Sequence, residues 1–191
     1  MATKGGLDQP MSKGSESSPL TIGILSDTHG YLDESIISRL RGVDEIWHAG
    51  DIGVVSVAET LSAIRPFRAV YGNIDGREVR DLYPEFLSFN CGGVNVLMTH
   101  IGGRAGKYSA SLKAEIAMRT PDLFICGHSH ILQVAPVGKM LHINPGAAGR
   151  HGFHHIRTMV ILTIEGGRIR HLDVVELGPR SERSRSSDPV G

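Results

Sequence analysis

Ile22-Gly23-Ile24-Leu25-Ser26-Asp27-Thr28-His29 is an apolar run that stops on two side chains able to ligate a metal. The same punctuation returns along the chain as Ile46-Trp47-His48-Ala49-Gly50-Asp51, Ala69-Val70-Tyr71-Gly72-Asn73 and Val96-Leu97-Met98-Thr99-His100. It returns a last time as Leu123-Phe124-Ile125-Cys126-Gly127-His128-Ser129-His130. Short apolar runs ended by turn residues read as buried strands. Open α/β sheets collect their chemistry just beyond the carboxyl ends of such strands. Seven ligand-type side chains (Asp27, His29, Asp51, Asn73, His100, His128 and His130) are therefore expected to converge, enough for two metal ions.

Outward from these runs, the pattern predicts alternating elements: strand 20–25, helix 33–41, strand 44–48, helix 54–65 and strand 67–71. A hairpin over 86–99 follows, turning at Cys91-Gly92-Gly93, then a helix over 109–119 and a strand over 122–126. Four more strands, 131–136, 139–143, 157–164 and 168–175, complete the chain, the last pair joined by Glu165-Gly166-Gly167. Parallel units first and antiparallel strands later predict an α/β fold of two sheets packed face to face with helices outside. One domain over 20–178 is expected, between a polar segment at 1–19 and a Ser/Arg-rich tail at 179–191, both expected to be disordered.

Composition narrows the function. The 191 residues carry 20 Lys plus Arg against 20 Asp plus Glu, which gives no electrostatic footprint for nucleic acid or an anionic membrane. No run approaches the ~20 apolar residues that span a bilayer. Cys91 and Cys126 fit neither a disulfide framework nor a paired-cysteine metal site, so reduced thiols and a cytoplasmic location are expected. Trp47 and the apolar hairpin residues suit a core, and a homo-oligomer is compatible with them.

Side chains two apart on an extended segment point the same way, so Asp27 with His29, and His128 with His130, can each offer two ligands to one cavity. Carboxylate can bridge two cations, Asn adds a carbonyl oxygen, and imidazoles complete the shells. That mixed nitrogen and oxygen set, without thiolate, suits Mn²⁺, Fe, Co²⁺, Ni²⁺ or Zn²⁺, and Mn²⁺ is the expected ion. Four positive charges against the two of Asp27 and Asp51 leave a net positive centre, which favours phosphate and lowers the pKa of a bridging water. Each piece alone has a plainer reading: Gly50-Asp51 and Gly72-Asn73 are ordinary strand-to-turn signals. Their joint order at successive strand ends is what points to chemistry.

The ordered set Asp27-x-His29, Gly50-Asp51, Gly72-Asn73, His100 and Gly127-His128-x-His130 resembles the calcineurin-like metallophosphoesterase superfamily, over about Leu20 to Leu177. Size, spacing and Ile143-Asn144-Pro145-Gly146 resemble its small single-domain bacterial and archaeal phosphodiesterases; the retromer metallophosphoesterase-like subunit is similar in fold. The resemblance implies a four-layer α-β-β-α sandwich of two mixed sheets. It implies one metal on Asp27, His29, Asp51 and His130 and another on Asp51, Asn73, His100 and His128, Asp51 bridging. Asp51, Asn73 and His100 are the residues to which it assigns catalysis. The expected function is a phosphodiesterase acting on a small phosphoester through a metal-bridging hydroxide. The alternative is a scaffold that kept the fold and lost the chemistry. One position departs from the pattern: many relatives carry a proton-donating His after the Gly-Asn pair, where this chain has Ile74. Arg104 and Arg150, in Gly-rich loops, and His151 are the candidate substrate contacts. His48, His142, His154 and His155 are the remaining histidines considered as proton donors.

Overall fold

The structure, a computed structural model, describes residues 18–181; the expected disordered segments fall almost wholly outside them. The strands are β1 (Leu20–Leu25), β2 (Glu45–His48), β3 (Phe67–Ala69), β4 (Phe86–Cys91), β5 (Val94–Thr99), β6 (Leu123–Ile125), β7 (Leu132–Val137), β8 (Met140–Pro145), β9 (Ile156–Glu165) and β10 (Arg168–Pro179). The helices are α1 (Glu34–Leu40), α2 (Val55–Ile64), α3 (Arg77–Leu82) and α4 (Ala110–Arg119). Helix α3 has no counterpart in the sequence reading. It spans under two turns and buries only Val79, so it carries no apolar period to detect. Strand β10 runs four residues beyond its expected end at 175.

The strands form two five-stranded sheets, β10-β9-β1-β2-β3 and β4-β5-β6-β8-β7. Both are mixed. In the first, β1, β2 and β3 run parallel while β9 and β10 pair antiparallel. In the second, β5, β6 and β8 run parallel between antiparallel β4 and β7. Alternation along β1 shows how the layers arise. Ile22 and Ile24 enter the core between the sheets with Trp47, Val96, Met98, Ile125, Ile143, Val160 and Leu162. Leu25 points the other way, into a second core with Ile36 and Leu40 of α1 and Val57 and Leu61 of α2. A third core sets Leu112 of α4 against Leu97 and Phe124. The expected α-β-β-α sandwich is the fold, and Trp47 and Cys126 lie wholly inside it.

Two tight hairpins close the end opposite the parallel strand ends. Gly92-Gly93 and Gly166-Gly167 all have positive φ, the backbone that a two-residue turn between twisted strands requires. A side chain on Gly93 would start only 2.8 Å from the Cα of Gly167, so the two turns touch across the sheets.

Candidate metal centre

All seven candidate ligands lie on loops just past strand ends. Asp27, His29, Asp51 and Asn73 follow β1, β2 and β3 of the first sheet; His100, His128 and His130 follow β5 and β6 of the second. Backbone bonds lace the loops together: Asp27 N–H donates to Gly50 O at 3.0 Å, His29 N–H to Asp51 O at 3.0 Å, and Gly127 N–H to His100 O at 2.9 Å.

The way the paired ligands converge differs from the sequence expectation. Asp27, His29, Asp51, His128 and His130 all sit at positive φ, between 49° and 68°. Extended alternation therefore does not aim these pairs, because β1 stops at Leu25 and β6 at Ile125, before the ligands begin. Left-handed backbone instead turns each side chain into the cavity, a conformation costing about 1–2 kcal/mol for a residue with a Cβ. Gly72 and Gly127 serve by leaving room. A side chain on Gly72 would collide with Asp51, and one on Gly127 with Ser26.

Two donor groups result, Asp27 with His29 and His130, and Asp51 with His100 and His128; within each, one ligand atom per residue lies within 4.8 Å of the others. They abut: His29 Nε2 is 3.3 Å from His130 Nε2 and 3.7 Å from Asp51 Oδ2. His100 Nε2 lies 3.2 Å from Asp51 Oδ1 and 3.1 Å from Asn73 Oδ1. Its other nitrogen, Nδ1, is 2.8 Å from the Ala49 carbonyl, which can only accept, so Nδ1 carries the hydrogen and Nε2 presents a lone pair. Lone pairs thus face lone pairs. Asp27 Oδ1 is buried and accepts no hydrogen bond, although His130 Nε2 is 3.1 Å away. Such an array lacks a positive charge at its middle, and divalent cations fit it.

Two of the imidazoles titrate so as to bring positive charge toward the carboxylates. Burial opposes the charged form of His100, yet its contact with Asp51 and the charge of Asp27 outweigh burial and raise its pKa. The Asp27 contact likewise raises His130. His29 goes the other way, because burial outweighs its two carboxylate neighbours. For Asp51, burial raises the pKa, but His100 and the Ile74 N–H lower it further, leaving it below the ordinary carboxylate value.

Three residues take supporting roles that the sequence reading did not assign to them. Asp75, buried, accepts from the N–H groups of Ile52, Gly53 and Gly72 and so ties the loops bearing Asp51 and Asn73. Asn144 donates through Nδ2 to Gly127 O at 2.7 Å and to Ser129 Oγ at 3.1 Å, steadying the loop that bears His128 and His130. His48 accepts from Gly50 N–H on Nδ1 and therefore donates from Nε2 to Thr28 Oγ1. Burial pushes its pKa down to about 4. An aspartate, asparagine or histidine aimed at backbone has no spacing signature, so only the Asn144-Pro145-Gly146 turn could have pointed to one of them.

The candidate substrate contacts separate. His151 joins the site, its ring 4.7 Å from that of His29, and lines a cleft with His128, His130 and His154. Arg150 sets its guanidinium over the Tyr31 ring at 4.8 Å. Arg104 is exposed on the loop after His100 and lines neither of the two clefts that flank the donors. Of the other histidines, His142 is buried against Tyr108 and Cys126, and His155 is exposed. His154 is half-buried, its ring 5.4 Å from His130.

A sandwich of two mixed sheets with nitrogen and oxygen donors at its strand ends defines a class of metal-binding hydrolases. Residues 20–167 match the calcineurin-like phosphoesterase superfamily domain, and the chain belongs to that superfamily. A probable metallophosphoesterase of Methanothermobacter thermautotrophicus is 28% identical over 137 residues, which cover 67% of this chain and 77% of that protein. The structure of an archaeal phosphodiesterase superposes with a TM-score of 0.64 at 26% identity, covering 82% of this chain and 100% of that one. Vps29 from Entamoeba histolytica, solved with Zn²⁺, superposes with a TM-score of 0.62 over 83% of this chain and 100% of its own. Its 16% identity shows likeness of fold alone.

Proposed function

We propose that the protein is a phosphodiesterase holding two divalent ions. Asp27, His29, Asp51 and His130 hold one, Asp51, Asn73, His100 and His128 the other, and Mn²⁺ is the first choice for both. The observation that carries this reading is the pair of abutting donor groups with the buried, undonated Asp27 Oδ1 between them. Likeness to an archaeal phosphodiesterase supports the diester preference. When bound, two divalent cations activate water as the nucleophile and neutralise charge on the phosphate.

The chain supplies the geometry. Asp51 is held by the Ile74 N–H at 3.1 Å and faces both donor groups, the position a bridging carboxylate needs. Ala49 O fixes the His100 ring, and Asn73 presents its carbonyl oxygen beside it. Neither thiol competes as nucleophile or ligand: Cys91 and Cys126 are both buried in the core, and burial pushes Cys126 up to about 12. Ile74 has no proton to give, and general-acid help is worth roughly 10²- to 10⁴-fold. Diesters with acidic leaving groups are accordingly the expected substrates, in a cytoplasmic setting that keeps Cys91 and Cys126 reduced.

The test is hydrolysis of bis(4-nitrophenyl) phosphate and 4-nitrophenyl phosphate by chelator-stripped protein, with Mn²⁺, Ni²⁺, Co²⁺ or Zn²⁺ restored singly. Metal-dependent turnover favouring the diester is expected, and Asp51→Asn should lower it at least a hundredfold with weaker uptake of both ions. Near-normal turnover in that variant would sink the bridging role. The scaffold reading draws on the shared fold with Vps29; a folded protein inert with every ion would favour it.

A further inference from the structure

The donor cluster opens on a cleft of about 540 Å³, within the roughly 300–1,000 Å³ of small-molecule sites. Its floor is polar, made by His29, Asp51, Asn73, His128 and His130. Its rim is not. Phe153 is 100% exposed, Ile131 68% and Ile74 46%, and all three line this one cleft. Scattered apolar residues on a surface are ordinary, but three gathered around a polar floor form a patch with a use.

A phosphate seated on the donors leaves its ester arms to run outward from the floor. Across Asn73 and His100 lies a second cleft of about 510 Å³, whose wall includes Arg80, Glu85, Ser109 and Ser111. Tyr71, Phe86, Ile101 and Leu112 stand in the same wall, and Arg80 is already engaged with the Tyr71 ring and backbone carbonyls, so that side selects no one kind of arm. The Phe153 side is different, with a fully exposed phenyl face, the imidazole of His151 and two branched aliphatic side chains. Flat π-faces are bound by stacking, whatever hydrogen-bonding pattern they carry.

We propose that this cleft is the subsite for a flat aromatic ring, such as a nucleobase or aryl group, on one ester arm of the substrate, stacked on Phe153. The assignment rests on the phosphoester site proposed above. It gives Ile74 a second consequence: the side chain at that position extends the apolar wall where many superfamily members place a histidine. The substrate is then a diester with an aromatic arm lying toward Phe153.

The test compares phenylphosphonate with methylphosphonate by titration calorimetry on the Mn²⁺-loaded protein. Phenylphosphonate should bind about tenfold or more tightly. Phe153→Ala and Phe153→Leu should both abolish that preference while leaving methylphosphonate affinity unchanged, since a fully exposed side chain can be removed without disturbing the fold. With bis(4-nitrophenyl) phosphate, both variants should raise KM and spare kcat, the mark of uniform binding. Equal affinity for the two phosphonates, or an aryl preference that survives Phe153→Ala, overturns the subsite and leaves the phosphoester reading standing. Failure of both phosphonates to bind the metal-loaded protein overturns the two together.

Discussion

At the scale of the residue, five candidate ligands pay for their aim with left-handed backbone. Stability and ligation are opposed at these positions. His128 is the cleanest case, being exposed with φ at 68°. In metal-free protein His128→Gly should exceed His128→Ala in stability by about 1 kcal/mol, because only glycine occupies that region without a Cβ penalty. Urea denaturation of the two variants checks this, and equal midpoints would refute the strain. The identity and order of the ligands were legible from Asp27 to His130, because each follows an apolar run that reads as a strand. Their backbone was not. Local sequence gives alternation only while a strand stays paired, and nothing in Ser26-Asp27-Thr28 or Gly127-His128-Ser129 announces a φ of the opposite sign.

At the scale of the element, α1 depends on a cap that reaches across the fold. Asp33 accepts the Ile36 N–H at the helix N-terminus and hydrogen bonds from Ser35 and Tyr31, and pairs with the buried Arg157 of β9 at 2.9 Å. Burial alone would raise the Asp33 pKa, but Ser35, Tyr31 and Arg157 outweigh it and bring the group from 3.8 to about 2. A depressed folded-state pKa stabilises above the unfolded value and is lost as pH falls through the folded one. The contribution, about 1 kcal/mol once solvent screening of this partly exposed group is allowed for, is therefore complete above about pH 5 and is lost as pH falls through about 2. Asp33→Asn should cost at least that much at pH 7. The gap between wild type and variant should close as urea unfolding is repeated from about pH 5 downward, and a gap constant with pH would refute the linkage. Helix α1 itself was legible from Ile36, Ile37 and Leu40. Arg157 was not, since it stands at the head of the apolar run Met159–Ile164 with no spacing to mark a partner more than a hundred residues away.

At the scale of the molecule, the layers were legible because β1, β2, β5, β6 and β9 alternate or run apolar, while the exchange of partners that places β8 between β6 and β7 was not. Each donor group draws on both sheets: Asp27 and His29 with His130, Asp51 with His100 and His128. The far end of the sandwich is pinned by the contact of Gly93 with Gly167. Adding Mn²⁺ to stripped protein should therefore slow hydrogen exchange in β1, β2, β5 and β6 together and raise Tm in proportion to the logarithm of free metal. Protection confined to one sheet would refute the shared site. On the reading proposed above, an ion in each donor group is in effect a reversible rivet between two plates that touch at the Gly-Gly turns. Drawing it out would unfasten one end of the sandwich, so loosened plates and lost turnover would arrive together.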